Sequence, residues 1–184
     1  MRVIAGTHKG RRLHTPKGKE TRPTSDRLRE SIFNILAHRW PDHLVGARVA
    51  DIFAGSGAMG IEALSRGAAH VVFVEKHTAG RDLVSRNLQT LGIADKAQVI
   101  EGDARKLPPL EAALDLVLMD PPYGRGLGEA ALEALQQAGW LRHGTLVVLE
   151  AGADEPLEIP AGYKVGDRRV QGDSQVIFLL AEVA

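Results

Sequence analysis

The chain has 184 residues, of which 44% are hydrophobic and 25% are charged, a composition typical of one globular domain with its own core. It contains no cysteine, which excludes disulfides and thiolate metal sites, and its seven histidines show no zinc-like spacing, so we expect no metal. No apolar run approaches the ~18 residues of a membrane span and no signal peptide opens the chain, which predicts a cytoplasmic protein without membrane contact.

The net charge of zero hides a basic N-terminus. Residues 1–30 carry nine Lys and Arg against three Asp and Glu, so they hold a charge of +6 and the remaining chain −6. Residues 2–14 alternate loosely between polar and apolar around Gly6 and Gly10, a pattern that predicts a short basic β-hairpin. A basic arm before an acidic body indicates that this end of the molecule contacts a polyanion.

A helix, and then an alternation of strands and helices, follow the arm. Helix-capping residues at 21–26 precede apolar positions spaced i, i+4, i+7 and i+8, which predicts an amphipathic helix to about His38. The later alternation predicts a parallel sheet with helices on both faces, and the short loop around Gly172 predicts that the last two strands pair antiparallel. The predicted strands are 48–53, 70–75, 98–102, 114–119, 145–150, 163–170 and 175–181, and the predicted helices between them are 58–66, 78–91 and 128–138.

A glycine motif follows the first strand of the predicted sheet, where ligands bind beyond the carboxyl ends of parallel strands. Gly55, Gly57 and Gly60 fit G-x-G-x-x-G, which by itself indicates NAD, FAD or S-adenosylmethionine equally. Asp51, four residues before the first glycine, would repel a pyrophosphate but suits an ammonium or sulfonium ligand. Glu75 follows Gly55 by 20 residues, where a ribose-binding carboxylate belongs in any nucleoside site.

Acidic residues end four successive strands of the predicted sheet, at Asp51, Glu75, Asp103 and Asp120. Asp103 follows the third strand and can accept a hydrogen bond from an adenine amino group. A row of carboxylates is a poor site for a dinucleotide and a good one for an adenosyl group with a cationic amino-acid tail. The strand ends therefore favour S-adenosylmethionine over NAD or FAD.

The tetrapeptide Asp120-Pro121-Pro122-Tyr123 follows the fourth strand. The two prolines have a fixed φ and no N–H to donate, so the chain must leave the sheet there with its carbonyl oxygens free as acceptors. A planar base could donate its exocyclic amino group to the carboxylate and to a backbone carbonyl while stacking on the aromatic ring. This arrangement predicts chemistry on an amino-substituted base.

These segments resemble a known family. Residues 51–60 and 120–123, with the intervening acids, are similar to class I S-adenosylmethionine-dependent methyltransferases that modify exocyclic amines. Residues 22–34 and 51–67 narrow the resemblance to the RsmD family, the 16S rRNA guanine-N2 methyltransferases, whose name places the target at guanine 966. The resemblance implies a Rossmann-like α/β fold with a seven-stranded, mostly parallel sheet whose last strand is antiparallel. It also implies methyl transfer from S-adenosylmethionine to 16S rRNA, within a 30S subunit or an assembly intermediate.

The resemblance also assigns roles to residues of this chain. The implied catalytic residues are Asp120, Pro121, Pro122 and Tyr123. The implied cofactor-binding residues are Asp51, Phe53, Ala54, Gly55, Ser56, Gly57, Gly60, Glu75, Lys76, Asp103, Ala104 and Thr24, the last of which could equally be a helix cap. The residues expected to contact RNA are Lys9, Arg11, Arg12 and Arg22. We therefore expect residues 1–24 to form an RNA-contacting arm and residues 25–184 to form the methyltransferase domain.

Other functions stay open from the residues alone. An amino-methyltransferase acting on adenine N6 in DNA or RNA would use a similar tetrapeptide, because the same acceptors serve either amine. A glutamine methyltransferase would begin that motif with Asn, where this chain has Asp120. An NAD-dependent oxidoreductase would give no task to Asp51 or Asp120. A non-catalytic RNA-binding module would bind rRNA without consuming a cofactor.

Overall fold

The computed structural model describes residues 1–16 and 23–183, with the side chains of residues 23–25 left out. Four helices and seven strands follow one another as the sequence predicts, with short 3-10 turns at Pro41–His43 and Ala94–Lys96. The elements are α1 (Pro23–Arg39), β1 (Arg48–Ile52), α2 (Ala58–Ser65), β2 (His70–Glu75), α3 (Thr78–Leu91), β3 (Ala97–Glu101), β4 (Leu114–Met119), α4 (Leu127–Gln137), β5 (Leu141–Gly152), β6 (Tyr163–Gln171) and β7 (Ser174–Ala181).

The seven strands form one sheet in the order β3-β2-β1-β4-β5-β7-β6. Strands β1 to β5 are parallel, and β7 runs antiparallel to both of its neighbours, β5 and β6. This confirms the predicted mostly parallel sheet with an antiparallel last strand. The strand order reverses between β1 and β4, and the carboxyl ends of parallel strands form a crevice at such a reversal.

Helices cover both faces of the sheet because successive side chains of a buried strand point to opposite sides. In β1, Val49 packs into the core beneath α1, α2 and α3, whereas Ala50 and Ile52 pack into the core beneath α4. Trp140 is fully buried in the α4 core, and Trp40 stacks on Phe178 with ring centroids 5.1 Å apart. The two cores fix the sheet, and with it the loops at its carboxyl edge.

The N-terminal arm differs from a regular hairpin. Its two halves share a single bridge between Arg2 and Arg12, with no extended ladder. The N–H groups of Val3, Gly10 and Leu13 donate across the arm. Those of Ile4 and Ala5 donate instead to the Glu62 carboxylate on α2 at 2.8 and 3.0 Å. Val3 and Leu13 are also buried in the main core, so the arm is packed onto the body of the molecule. The division at residues 24 and 25 stays a prediction.

Candidate active site

A cavity of about 1020 Å³ opens at the carboxyl edge of the sheet, where the loops after β1, β2, β3 and β4 converge. This volume accommodates a ligand of nucleoside size with room for a second group. The predicted site residues that the cavity brings together are Phe53, Gly55, Glu75, Lys76, Asp103, Ala104, Asp120, Pro121, Pro122 and Tyr123. The predicted row of strand-end acids therefore meets in one place, with Asp51 as the exception.

The glycine loop after β1 has a backbone that few side chains would tolerate. Gly55 and Gly57 have φ values of +57° and +79°, and Phe53 adopts +69°, a strained value for a residue with a Cβ. Position 60 requires glycine for a steric reason, because a Cβ there would lie 2.4 Å from the ring of Phe73. The loop is therefore shaped for close approach of backbone to a ligand and of α2 to the sheet.

Asp51 lies behind the cavity wall rather than on it. It is buried, and its Oδ2 accepts a hydrogen bond from the Gly60 backbone N–H at 2.8 Å. Desolvation by burial raises the pKa of Asp51 to about 8; the Gly60 hydrogen bond opposes this rise, and the charges of Asp120 and Glu75 add to it. A nearby cation would favour the ionised form. Ala54, Ser56, Gly57 and Gly60 are also outside the cavity lining, so their contact with a ligand stays a prediction.

Glu75 is held rigidly at the end of β2. Its Oε2 accepts from the Gly55 N–H at 2.9 Å and its Oε1 accepts from the His77 N–H at 2.7 Å. A Cβ on Gly80 would lie 2.6 Å from the Glu75 Cγ, so α3 can approach this side chain only because residue 80 is glycine. Each carboxylate oxygen keeps further acceptor capacity, which suits the two hydroxyls of a ribose.

Asp103 carries a cluster of basic partners at the cavity rim. Arg105 donates to its two carboxylate oxygens at 2.9 and 2.6 Å, and Lys76 donates to Oδ2 at 3.2 Å. The hydrogen bonds from Arg105 are the main cause that holds the pKa of Asp103 well below its ordinary value. An adenine amino group would need one acceptor site here, and the exposed Lys76 is the partner most easily displaced, because exposed ion pairs contribute little.

The tetrapeptide places a carboxylate and an aromatic ring side by side at the cavity. Asp120 opens onto the cavity, yet desolvation by the surrounding protein and the charge of Glu150 raise its pKa to about 7. Tyr123 keeps 43% of its surface exposed, so its ring face is accessible to a base. The Tyr123 hydroxyl donates to Glu150 Oε1 at 2.5 Å and lies 2.9 Å from Ser174 Oγ, which also reaches Glu150 Oε1 at 3.2 Å.

A second carboxylate holds the loop that follows the ring. Glu155 accepts from the Gly124 N–H at 2.8 Å and from the Gly152 N–H at 3.1 Å, and so ties this loop to the end of β5. Glu150, Ser174 and Glu155, as well as the cavity-lining Arg105 and Arg125, are not among the predicted site residues. Glu150 could have been found, because it ends the predicted strand 145–150 and is a fifth acid in the same row.

The residues predicted to contact RNA are only partly described. Lys9, Arg11 and Arg12 are exposed on the arm. Arg22 lies outside the described residues, and Thr24 lies in α1 without a described side chain. Across residues 1–16 and 23–183, no group of three or more His, Cys, Asp or Glu could hold a metal ion. The helices of these same segments include none that is long and apolar enough to cross a membrane.

Comparison with known proteins gives consistent relatives. The family model described as conserved hypothetical protein 95 matches residues 1–180. The chain is 37% identical over 174 residues to ribosomal RNA small subunit methyltransferase D of Escherichia coli strain K12, covering 94% of this chain and 85% of that protein. It is 35% identical to the protein of the same name in Haemophilus influenzae, covering 94% and 89%. The solved structure of yhhF from Escherichia coli has a TM-score of 0.85 and 34% identity, covering 100% of this chain and 99% of that one.

Proposed function

Since this chain belongs to the RsmD family of ribosomal RNA small subunit methyltransferases, we propose that it transfers a methyl group from S-adenosylmethionine to the exocyclic N2 of a guanine in 16S rRNA. The observation that carries the proposal is the meeting of Asp120 and Tyr123 with Glu75 in one cavity. An acceptor for an amino group and a stacking ring thereby lie beside a carboxylate suited to a ribose. A 16S rRNA substrate, within a 30S subunit or an assembly intermediate, agrees with the predicted cytoplasmic location.

The residues around the cavity fit the proposed cofactor. S-adenosylmethionine supplies a methyl group activated by a positively charged sulfur. Glu75, fixed by two backbone N–H groups, would accept from the ribose hydroxyls. Asp103 and Ala104 would hold the adenine end, and Gly55 would allow close approach of the backbone. Asp51, through the loop it anchors, would favour the cationic amino-acid end over a pyrophosphate.

Asp120 prepares the guanine amino group for attack. The lone pair of guanine N2 is delocalised into the ring, so the nitrogen is a poor nucleophile as it stands. The Asp120 carboxylate and the Pro121 carbonyl would accept its two N–H bonds and turn the lone pair toward the methyl group. Asp120 would also stabilise the positive charge that develops on nitrogen as the N–C bond forms and the sulfur–methyl bond breaks, with the electron pair of the broken bond left on a neutral thioether. Its carboxylate oxygen would take up the proton that N2 then loses.

Tyr123 provides the platform for the base. A guanine can place its amino group on Asp120, inside the cavity, only when it leaves its stack or comes from an exposed loop. Stacking on an aromatic ring contributes ~1–3 kcal/mol per base, and the exposed face of Tyr123 is available for it. The hydroxyl bonds to Glu150 and Ser174 restrict rotation of the ring before the base arrives. Alignment of the two reactants is itself worth up to about 7–11 kcal/mol of the barrier when the geometry is good.

The experiment that tests the proposal is methyl transfer from labelled S-adenosylmethionine to 16S rRNA and to 30S particles prepared from cells lacking the protein. The RNA is then digested and its nucleosides are identified. Label in N2-methylguanosine supports the proposal, and Asp120→Ala should abolish that label. Label in methyladenosine would move the target to adenine N6. Binding of rRNA with no label in either RNA form would indicate a non-catalytic RNA-binding module.

A further inference from the structure

A basic surface lies on the N-terminal arm and the adjoining side of α3, and we call it the arm–α3 face. Its members are Arg2, Lys9, Arg11, Arg12 and Arg86, all of them exposed. None of the five forms an ion pair with an acid of the described segments. Asp82, which lies one turn before Arg86 on α3, forms no ion pair with it. Five cations without a protein counter-ion on one surface suit an external polyanion.

Hydrogen bonds hold the arm along α3 and so bring Arg11 against the helix that carries Arg86. The Arg11 guanidinium donates to the Thr90 carbonyl at 3.2 Å, and Thr90 lies one helical turn beyond Arg86. The buried side chain of Asn87, next to Arg86 in the chain, accepts from the His14 N–H at 2.7 Å and donates to the His14 carbonyl at 3.1 Å. Arg11 therefore contacts α3 one helical turn from Arg86, although 75 positions separate the two residues in the sequence.

The Arg11 contact on the arm–α3 face is remote from the cavity. Helix α3 begins at Thr78, directly after the cavity-lining His77, and Thr90 lies twelve residues further along. At 1.5 Å per residue, the contact of Arg11 is ~18 Å from the cavity rim. The arm is also fixed to the far end of α2, where the Thr7 N–H donates to the Ser65 carbonyl at 2.8 Å. A single nucleoside in the cavity cannot reach Arg11.

We propose that the arm–α3 face is a second RNA-contact site, which binds phosphates of the same rRNA molecule at a distance from its target guanine and includes Arg86. The choice of RNA as the polyanion rests on the proposed function. Arginine suits this task because its planar guanidinium can hold a phosphate through two hydrogen bonds. The substrate is then an RNA segment that extends at least ~18 Å beyond the modified base, as a folded rRNA does and a free nucleotide does not.

The test compares two double variants that remove the same charge. Arg11→Ala with Arg86→Ala removes two members of the arm–α3 face. Lys164→Ala with Arg168→Ala removes two exposed cations from β6, at the opposite edge of the sheet. Binding of 16S rRNA is measured as a function of salt, and thermal unfolding checks that each variant is folded.

Loss of two phosphate contacts should weaken binding at least about tenfold at low salt and flatten the logarithmic salt slope by about 1.4 to 1.8. The β6 control should keep the wild-type slope. With rRNA fragments of decreasing length, the ratio of wild-type to variant affinity should fall toward one when a fragment no longer spans both sites.

The outcomes separate this inference from the proposed function. If the wild-type protein methylates rRNA while the Arg11/Arg86 variant binds it like the β6 control, the second site is refuted and the proposed function stands. Equal losses of rRNA affinity in both variants would also refute the second site, because affinity would then depend on total charge and not on where the charges lie. If the wild-type protein binds rRNA in the predicted manner but transfers no methyl group, the proposed function fails and the second site stands.

Discussion

Replacing Glu150 by Gln should shift the pH dependence of catalysis toward acid. Asp120 must be ionised to accept from the guanine amino group, so kcat/KM should rise with pH through the pKa of Asp120 and then level off. Burial and the charge of Glu150 raise that pKa to about 7. Glu150→Gln removes the charge and keeps an oxygen that can accept from the Tyr123 hydroxyl, so the ring platform is retained.

The size of the shift follows from the two causes. The pKa of Asp120 rises from 3.8 to about 7, and desolvation is the larger cause. Removal of the Glu150 charge can therefore reverse less than half of that rise, so the new midpoint should lie below that of the wild type but still well above the ordinary value of an aspartate. A neighbouring carboxylate disfavours ionisation, so the direction must be toward lower pH.

The assay measures initial rates across pH 5 to 9, with S-adenosylmethionine saturating and the rRNA concentration varied. It reports kcat/KM for the rRNA. Glu158→Gln is the matched control, because it neutralises an exposed acid in the segment between β5 and β6 that forms no ion pair within the described residues. Its midpoint should equal that of the wild type. A Glu150→Gln midpoint that stays in place or moves to higher pH would refute the role of Glu150 in setting the state of Asp120.

Three further substitutions test other parts of the account. Asp120→Ala should lower kcat at least about 100-fold with little change in the S-adenosylmethionine Kd, and near-normal turnover would contradict the mechanism. Glu75→Gln puts an amide donor against a backbone N–H, so calorimetry should show about tenfold or greater loss of cofactor affinity, and an unchanged Kd would contradict the ribose role. Glu62→Ala leaves Arg66 without its buried partner and removes the acceptor of the Ile4 and Ala5 N–H groups, so urea unfolding should report a loss of about 3 kcal/mol, and no loss would contradict this anchor.

Local sequence pattern was sufficient to predict most of the helices and strands. Strands 70–75 and 114–119 were predicted with the bounds that the structure shows, because each is an apolar run ended by a turn. Strand β5 begins at Leu141, four residues before the prediction, because Leu141 pairs with Leu114 across an irregular register that no local pattern records. The arm does fold back on itself at the antiparallel bridge between Arg2 and Arg12. The Ile4 and Ala5 N–H groups instead donate to Glu62, a contact that spans more than 50 residues of sequence and that no local pattern records.

The site residues also differ in whether local sequence pattern determines their position. Glu75, Asp103 and Asp120 could be predicted because the carboxyl ends of parallel strands meet at one edge of the sheet. Asp51 obeys the same spacing but points to the Gly60 N–H, a direction that depends on how α2 packs. Ser174 reaches Tyr123 only because β7 returns antiparallel beside β5, so its role depends on strand pairing rather than on any motif.

The most direct test of the central claim is the modification state of 16S rRNA in cells that lack this protein. The RNA is mapped by mass spectrometry of nuclease fragments, with the gene restored as wild type or as Asp120→Ala at equal protein level. The account predicts that one N2-methylguanosine is absent without the protein, returns with the wild type and stays absent with the variant. Retention of every N2-methylguanosine in the deletion strain, or its return with Asp120→Ala, would contradict the account.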